Sequence, residues 1–224
     1  MREIRVMKAL RPDYNKNLIY TRLGYRKNTT RLSQDERDNI DYLVELTENT
    51  LNIVAAYRIV DILNISSPYI LLEDGTRLKG EKLSELLNGC HQALIMFATG
   101  GPKVIELIEK LQNEGRLSDA VVVDAAASEI TDSALDVVMA HVGRNIRPLG
   151  QALTKMRFSP GYGDFDLPQQ AELFRLLDAG KFGVSLNEAF MLTPEKSVFA
   201  VAGITKMKMG GTDDQKGIQK AVQQ

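Results

Sequence analysis

The chain has 224 residues but only one cysteine, two histidines and no tryptophan. With Cys90 alone, an internal disulfide and a cysteine-cluster metal site are both excluded. His91 and His141 lie far apart and neither has a ligand-spaced partner, which argues against a protein-built zinc site. No apolar run approaches the roughly 20 residues needed to span a bilayer. The opening Met1-Arg-Glu-Ile-Arg-Val carries charge where a signal peptide needs an apolar core. Charge of one sign is also missing: 28 basic residues face 29 acidic ones, for a net charge of −1. No global field therefore draws the protein to nucleic acid or to an anionic membrane. No nucleophile elbow, internal repeat, linker or low-complexity segment is present. The expected setting is the cytoplasm, with no nucleic-acid and no membrane partner.

What is present is ordinary globular material, 44% hydrophobic and 25% charged. The length suits one domain spanning 1–224, with the polar tail from Gly210 frayed. Residues 3–10 alternate as an edge strand does. Residues 13–25 read as a short helix closed by Gly24. Ser33-Gln-Asp-Glu36 is a capping box that starts a helix running to about Leu51. Residues 52–63 and Tyr69 to Leu72 read as strands, and Asp74-Gly75 as a hairpin turn. Lys82 to Leu87 is a short helix. His91 to Thr99 is a buried strand, followed by Gly100-Gly101-Pro102 and a helix to about Asn113, closed by Gly115. Residues 118–143 make a long helix with Ala and Val on one face, and Arg147 to Gly150 breaks it. A further helix spans Pro168 to Leu177. Val184 to Leu192 is apolar, and Ser197 to Ile204 is a strand. The fold class is α+β, a twisted and mainly antiparallel sheet flanked by helices.

Three features hold candidate chemistry. The strand–glycine–helix turn at Gly100-Gly101-Pro102 has free N–H groups suited to an anion, although it has no dinucleotide or Walker pattern. Glu129, Asp132 and Asp136 fall at spacings of three, four and seven on the long helix and share a face. They serve either as a solvated face or as acceptors for a ligand's ammonium or amine. The third is Arg157-Phe-Ser-Pro160-Gly161-Tyr162-Gly163-Asp164-Phe165. Pro160-Gly161 favours a type II turn, Gly163 permits close backbone approach, Arg157 has a fork of donors, and Tyr162 brings a ring and a hydroxyl. The residue types allow a small-molecule cradle or an ordinary loop with an exposed arginine.

The Arg157 segment leads into Leu167-Pro168-Gln169-Gln170, Glu172-Leu-Phe174 and Leu177, then Gly183-Val-Ser-Leu186-Asn-Glu188-Ala-Phe190-Met-Leu192-Thr-Pro194-Glu-Lys196-Ser197-Val198. With Leu23-Gly-Tyr25, Ala98-Thr-Gly100 and Ala126-Ala-Ser128 upstream, this resembles the activation (reactivation) domain of vitamin B12-dependent methionine synthase, in its form as a separate short protein. The resemblance covers most of the chain and is most specific over 157–198.

The resemblance implies a protein that binds S-adenosylmethionine. It would support reductive methylation of cob(II)alamin held by a partner, either a corrinoid-binding methionine synthase or a related corrinoid methyltransferase. Flavodoxin or a ferredoxin-type donor would supply the electron. The family's arginine maps onto Arg157, facing the ligand's carboxylate. Ser159 and Gly161 map onto positions whose backbone reads the adenosyl group. Tyr162 maps onto a tyrosine facing ligand and corrin. The family's helix glutamate maps onto Asp132, with Glu129 as the alternative. Gln151 stands where the family has an acidic residue, and the acidic residue near the start of the fused form's domain has no counterpart. A docking module for a corrinoid protein, without S-adenosylmethionine-dependent activity, is the alternative the resemblance leaves open.

Overall fold

The computed structural model describes residues 3–26 and 30–207. The tail expected to fray from Gly210 lies outside the described residues. Nine strands and six helices follow in chain order among those residues: β1 (Arg5–Leu10), α1 (Lys16–Arg22), α2 (Gln34–Thr50), β2 (Ile53–Ser66), β3 (Tyr69–Leu72), β4 (Arg77–Lys79), α3 (Glu81–Leu87), β5 (Gln92–Thr99), α4 (Lys103–Asn113), α5 (Leu117–Ile146), β6 (Gln151–Leu153), α6 (Gln170–Leu177), β7 (Ser185–Leu186), β8 (Leu192–Thr193) and β9 (Ser197–Lys206).

Local chemistry explains where these elements start and stop. The Ser33 hydroxyl accepts from the Glu36 N–H and the Glu36 carboxylate accepts from the Ser33 N–H, so the expected capping box opens α2. Gly24 and Gly115 adopt positive φ just past α1 and α4. Gly150, at φ 67°, ends the 3₁₀ turn that follows α5. The Asp74-Gly75 turn joins β3 to β4, as expected.

Seven strands form one sheet in the order β4-β3-β2-β5-β9-β6, with β1 alongside β2. Every pairing is antiparallel. The 14-residue β2 serves two outer neighbours, β1 over its first half and β3 over its second. β5 lies at the centre and is buried along its whole length. Alternate side chains divide between two cores. Leu94, Met96, Ala98, Ala200 and Ala202 face α2, α4 and α5. Ala93, Ile95, Phe97, Phe199 and Val201 face α3 and α6. The fold is α+β, as the sequence indicated.

Two details differ from the expected pattern. The apolar stretch 184–192 holds no single strand; it turns back on itself as the β7–β8 hairpin. The three-residue β6 carries no periodic signal of its own, and it is held by pairing with the end of β9.

Candidate functional site

A cavity of about 630 Å³ opens where α5, the Arg157 loop and the start of β9 meet. Small-molecule pockets typically span roughly 300–1,000 Å³. One wall is a face of α5, where Ser128, Thr131 and Asp132 fall at i, i+3 and i+4. A second wall is Met156–Ser159 with Tyr162 and Gly163, and a third is Glu195–Val198. Arg22 from α1 and Lys82 from α3 complete the lining.

The Arg157 loop is held from several directions. Phe158 exchanges two backbone hydrogen bonds with Val201 of β9, at 2.9 and 2.8 Å. Gly161, at φ 91°, donates its N–H to the Phe165 carbonyl at 2.7 Å. This positive φ suits the glycine of a Pro-Gly type II turn. The Phe165 ring is fully buried in the α6-side core. The Asp164 carboxylate accepts from the backbone N–H groups of Glu81 and Lys82, which ties the loop to the first turn of α3. The Tyr162 side of the loop stays at the rim, with Tyr162 70% exposed.

The Arg157 guanidinium lies across α5. Nη2 donates to Asp132 Oδ2 at 2.9 Å and to the Asp132 carbonyl at 3.3 Å, and Nη1 donates to Asp136 Oδ1. Both carboxylates are substantially solvated, so the pairs orient the arginine more than they stabilise the fold. Two donor positions of the guanidinium, on Nε and on Nη1, make no hydrogen bond with the described residues.

The structure brings Arg157, Ser159, Tyr162 and Asp132 together in the cavity lining. Gly161 is not part of that lining; Gly163, two residues on, is. Glu129 is buried and turned toward α1, where its carboxylate accepts from Arg22 Nε at 3.0 Å. Gln151 also points elsewhere, with its amide 2.9 Å from His91 Nε2.

Sequence reasoning missed Lys196. Its side chain is 9% exposed, and Nζ donates to Asp124 Oδ1 at 2.6 Å and to Ser128 Oγ at 3.1 Å. A lysine this buried is rare unless paired, and here it joins Arg157, Arg22 and Lys82 as a fourth cation in the cavity lining. Its sequence signal is faint: an ammonium-bearing residue immediately before an apolar strand.

The other candidates have structural roles. The Gly100 N–H donates to the Lys196 carbonyl at 2.7 Å and the Gly101 N–H to Thr99 Oγ1 at 3.2 Å, so this turn's donors are used internally. A Cβ on Gly100 would lie 2.6 Å from Leu51 Cδ2 and 2.9 Å from Thr131 Oγ1, so close packing is what requires glycine there. Burial pushes the Cys90 thiol pKa up, away from a reactive thiolate. Among the described residues no cluster of His, Cys, Asp or Glu could hold a metal ion, and no helix is long and apolar enough to cross a membrane.

Comparison with solved structures finds the same fold in the crystal structure of the MetH reactivation domain bound to AdoHcy. The two superpose with a TM-score of 0.68 at 15% sequence identity, covering 90% of this chain and 78% of that one. Identity at this level is informative about the fold alone. No protein-family model matches the chain. No curated protein matches it either.

Proposed function

We propose that the chain binds S-adenosylmethionine in the cavity between α5 and the Arg157 loop, and acts as a reactivation module for a corrinoid protein. One observation carries the reading. In a fold shared with a reactivation domain crystallised with AdoHcy, Arg157, Ser159, Tyr162 and Asp132 converge on one cavity of ligand size. Residue chemistry supports it. Arg157 retains donors for a carboxylate, while Asp132 and Glu195 supply acceptors for an ammonium. The loop backbone at Ser159 and Gly163 is open to an adenosyl group. Gly161 and Glu129 contribute from behind the lining, the first by shaping the turn and the second by fixing Arg22.

The chain's own contribution is to bind and orient the ligand at the rim where Tyr162 stands, so that an otherwise bimolecular encounter is pre-aligned. A cobalamin carried by the partner would supply the methyl-accepting metal, after one-electron reduction by a flavodoxin or ferredoxin-type donor. The partner is a corrinoid-binding methionine synthase or a related corrinoid methyltransferase.

Calorimetric titration with S-adenosylmethionine tests this. Saturable binding to the parent is expected, weakened about ten- to hundredfold in Arg157→Ala, the loss of one charge-assisted contact. An Arg157→Ala protein that binds as tightly as the parent removes that side chain from the site. No saturable binding to the parent overturns the ligand assignment.

A second reading is favoured by the pairing of Arg157 with Asp132 and Asp136 and of Glu129 with Arg22. With these charges already matched, the module would dock on a corrinoid protein without S-adenosylmethionine. It predicts capture of the corrinoid protein by Arg157→Ala with no S-adenosylmethionine present.

A further inference from the structure

A second cleft, of about 480 Å³, lies between the β1–β2 edge and the C-terminal end of α5. Its sheet wall is Glu3, Arg5, Tyr57 and Ile59; its helix wall is Val142, Asn145 and Ile146, with Leu149 beyond. Arg5 and Tyr57 are directly opposite in the β1–β2 register, so both side chains stand on one face. Glu3, two residues before Arg5, shares that face. From Asp132 in the first cavity to Val142 here is ten residues of helix, about 15 Å along its axis. The two sites therefore share α5 and no lining residue.

Tyr57 gives the cleft a fixed donor. Only 5% of it is exposed, yet its hydroxyl makes no hydrogen bond with any described residue and it lines the cleft. Burial pushes its pKa up, with the Arg5 charge opposing, so the phenol stays protonated and available as a donor. The hydroxyl is not among the fully buried unpaired atoms, so it opens into the cleft while the ring is packed behind it, and a held phenol donor of this kind can meet a ligand's acceptor. Among the described residues Arg5 and Glu3 form no ion pair, and both are exposed and line the cleft, which thus holds one cation and one anion. Ile59, Val142, Ile146 and Leu149 supply the apolar surface, and Leu149 is 72% exposed.

We infer that this cleft binds a small zwitterion with an apolar tail, an α-amino acid with an aliphatic side chain. Its carboxylate is received by Arg5 and the Tyr57 hydroxyl, its ammonium by Glu3, and its side chain by Ile59, Val142 and Ile146. A simple anion would be repelled by Glu3, and a simple amine by Arg5, so the paired charges select the zwitterion.

The probe is leucine, titrated into the full chain by calorimetry and by NMR shift perturbation. Saturable binding is expected. N-acetylleucine, which lacks the ammonium, and leucinamide, which lacks the carboxylate, are each expected to bind at least about tenfold more weakly, the size of one lost charge-assisted contact. Arg5→Gln and Tyr57→Phe are expected to weaken leucine binding, while Arg157→Ala leaves it unchanged. Arg5 is exposed and Tyr57→Phe keeps the ring, so both variants should fold. Absence of saturable leucine binding overturns the inference, as does binding unaffected by Arg5→Gln. N-acetylleucine or leucinamide binding as tightly as leucine overturns the zwitterion class.

Discussion

At the residue scale, function and packing meet at a few contacts between side chains distant in sequence. Gly203 on β9 is one. A Cβ there would lie 2.3 Å from Cys90 Sγ, 3.0 Å from Thr154 Cγ2 and 3.1 Å from Leu87 Cδ2. Gly203→Ala is therefore expected to cost about 1–3 kcal/mol in urea unfolding through overpacking. Adding Cys90→Ala should recover much of that loss, a non-additive cycle that locates the clash on the sulfur. Glu129 and Asp132 show how far sequence reaches at this scale. Their three-residue spacing makes them neighbours on α5, yet Glu129 is buried against Arg22 and Asp132 lines the cavity. Which of them meets the cavity was decided by Arg22, 107 residues before Glu129, and no local pattern reports such a partner. Lys196 was hidden for a similar reason, since its partners Asp124 and Ser128 come from another element.

Elements were the most legible level, because caps and periodicity are local. Ser33 and Glu36 announced α2, and both reciprocal bonds of the box form. Ser33→Ala should lower stability by about 1 kcal/mol, measured by urea unfolding. The long helix was visible from its small apolar face, and Ala120, Ala126, Ala127 and Ala134 bring α5 close to its neighbours. The short elements escaped. β6 spans three residues and exists only because β9 offers an edge. The β7–β8 hairpin was read as one apolar stretch, since two-residue strands leave no alternation to detect.

For the whole molecule, the α+β antiparallel class followed from strands and helices recognised singly, whereas the order of strands in the sheet did not. Placing β5 between β2 and β9 brings the 195–198 segment to α5, and this creates the cavity. Global stability also has an alkaline limit. Burial is the largest cause raising the Tyr14 pKa from 10.0 to about 12, followed by the charge of Glu48 and the hydrogen bond donated to it at 3.2 Å. A phenol whose folded pKa is raised contributes stability that is whole below pH 10.0 and is lost as pH climbs toward about 12. Urea midpoints should fall across that window in the parent, and Tyr14→Phe should flatten the fall.

The clasp of Asp164 on the first turn of α3 bears on what recognition demands thermodynamically. The loop from Arg157 to Phe165 is fixed at both ends before any ligand arrives: at one by Asp132, Asp136 and Val201, at the other by the α3 backbone and burial of the Phe165 ring. Little conformational freedom is left to surrender on association, so a larger share of each contact's energy appears as affinity.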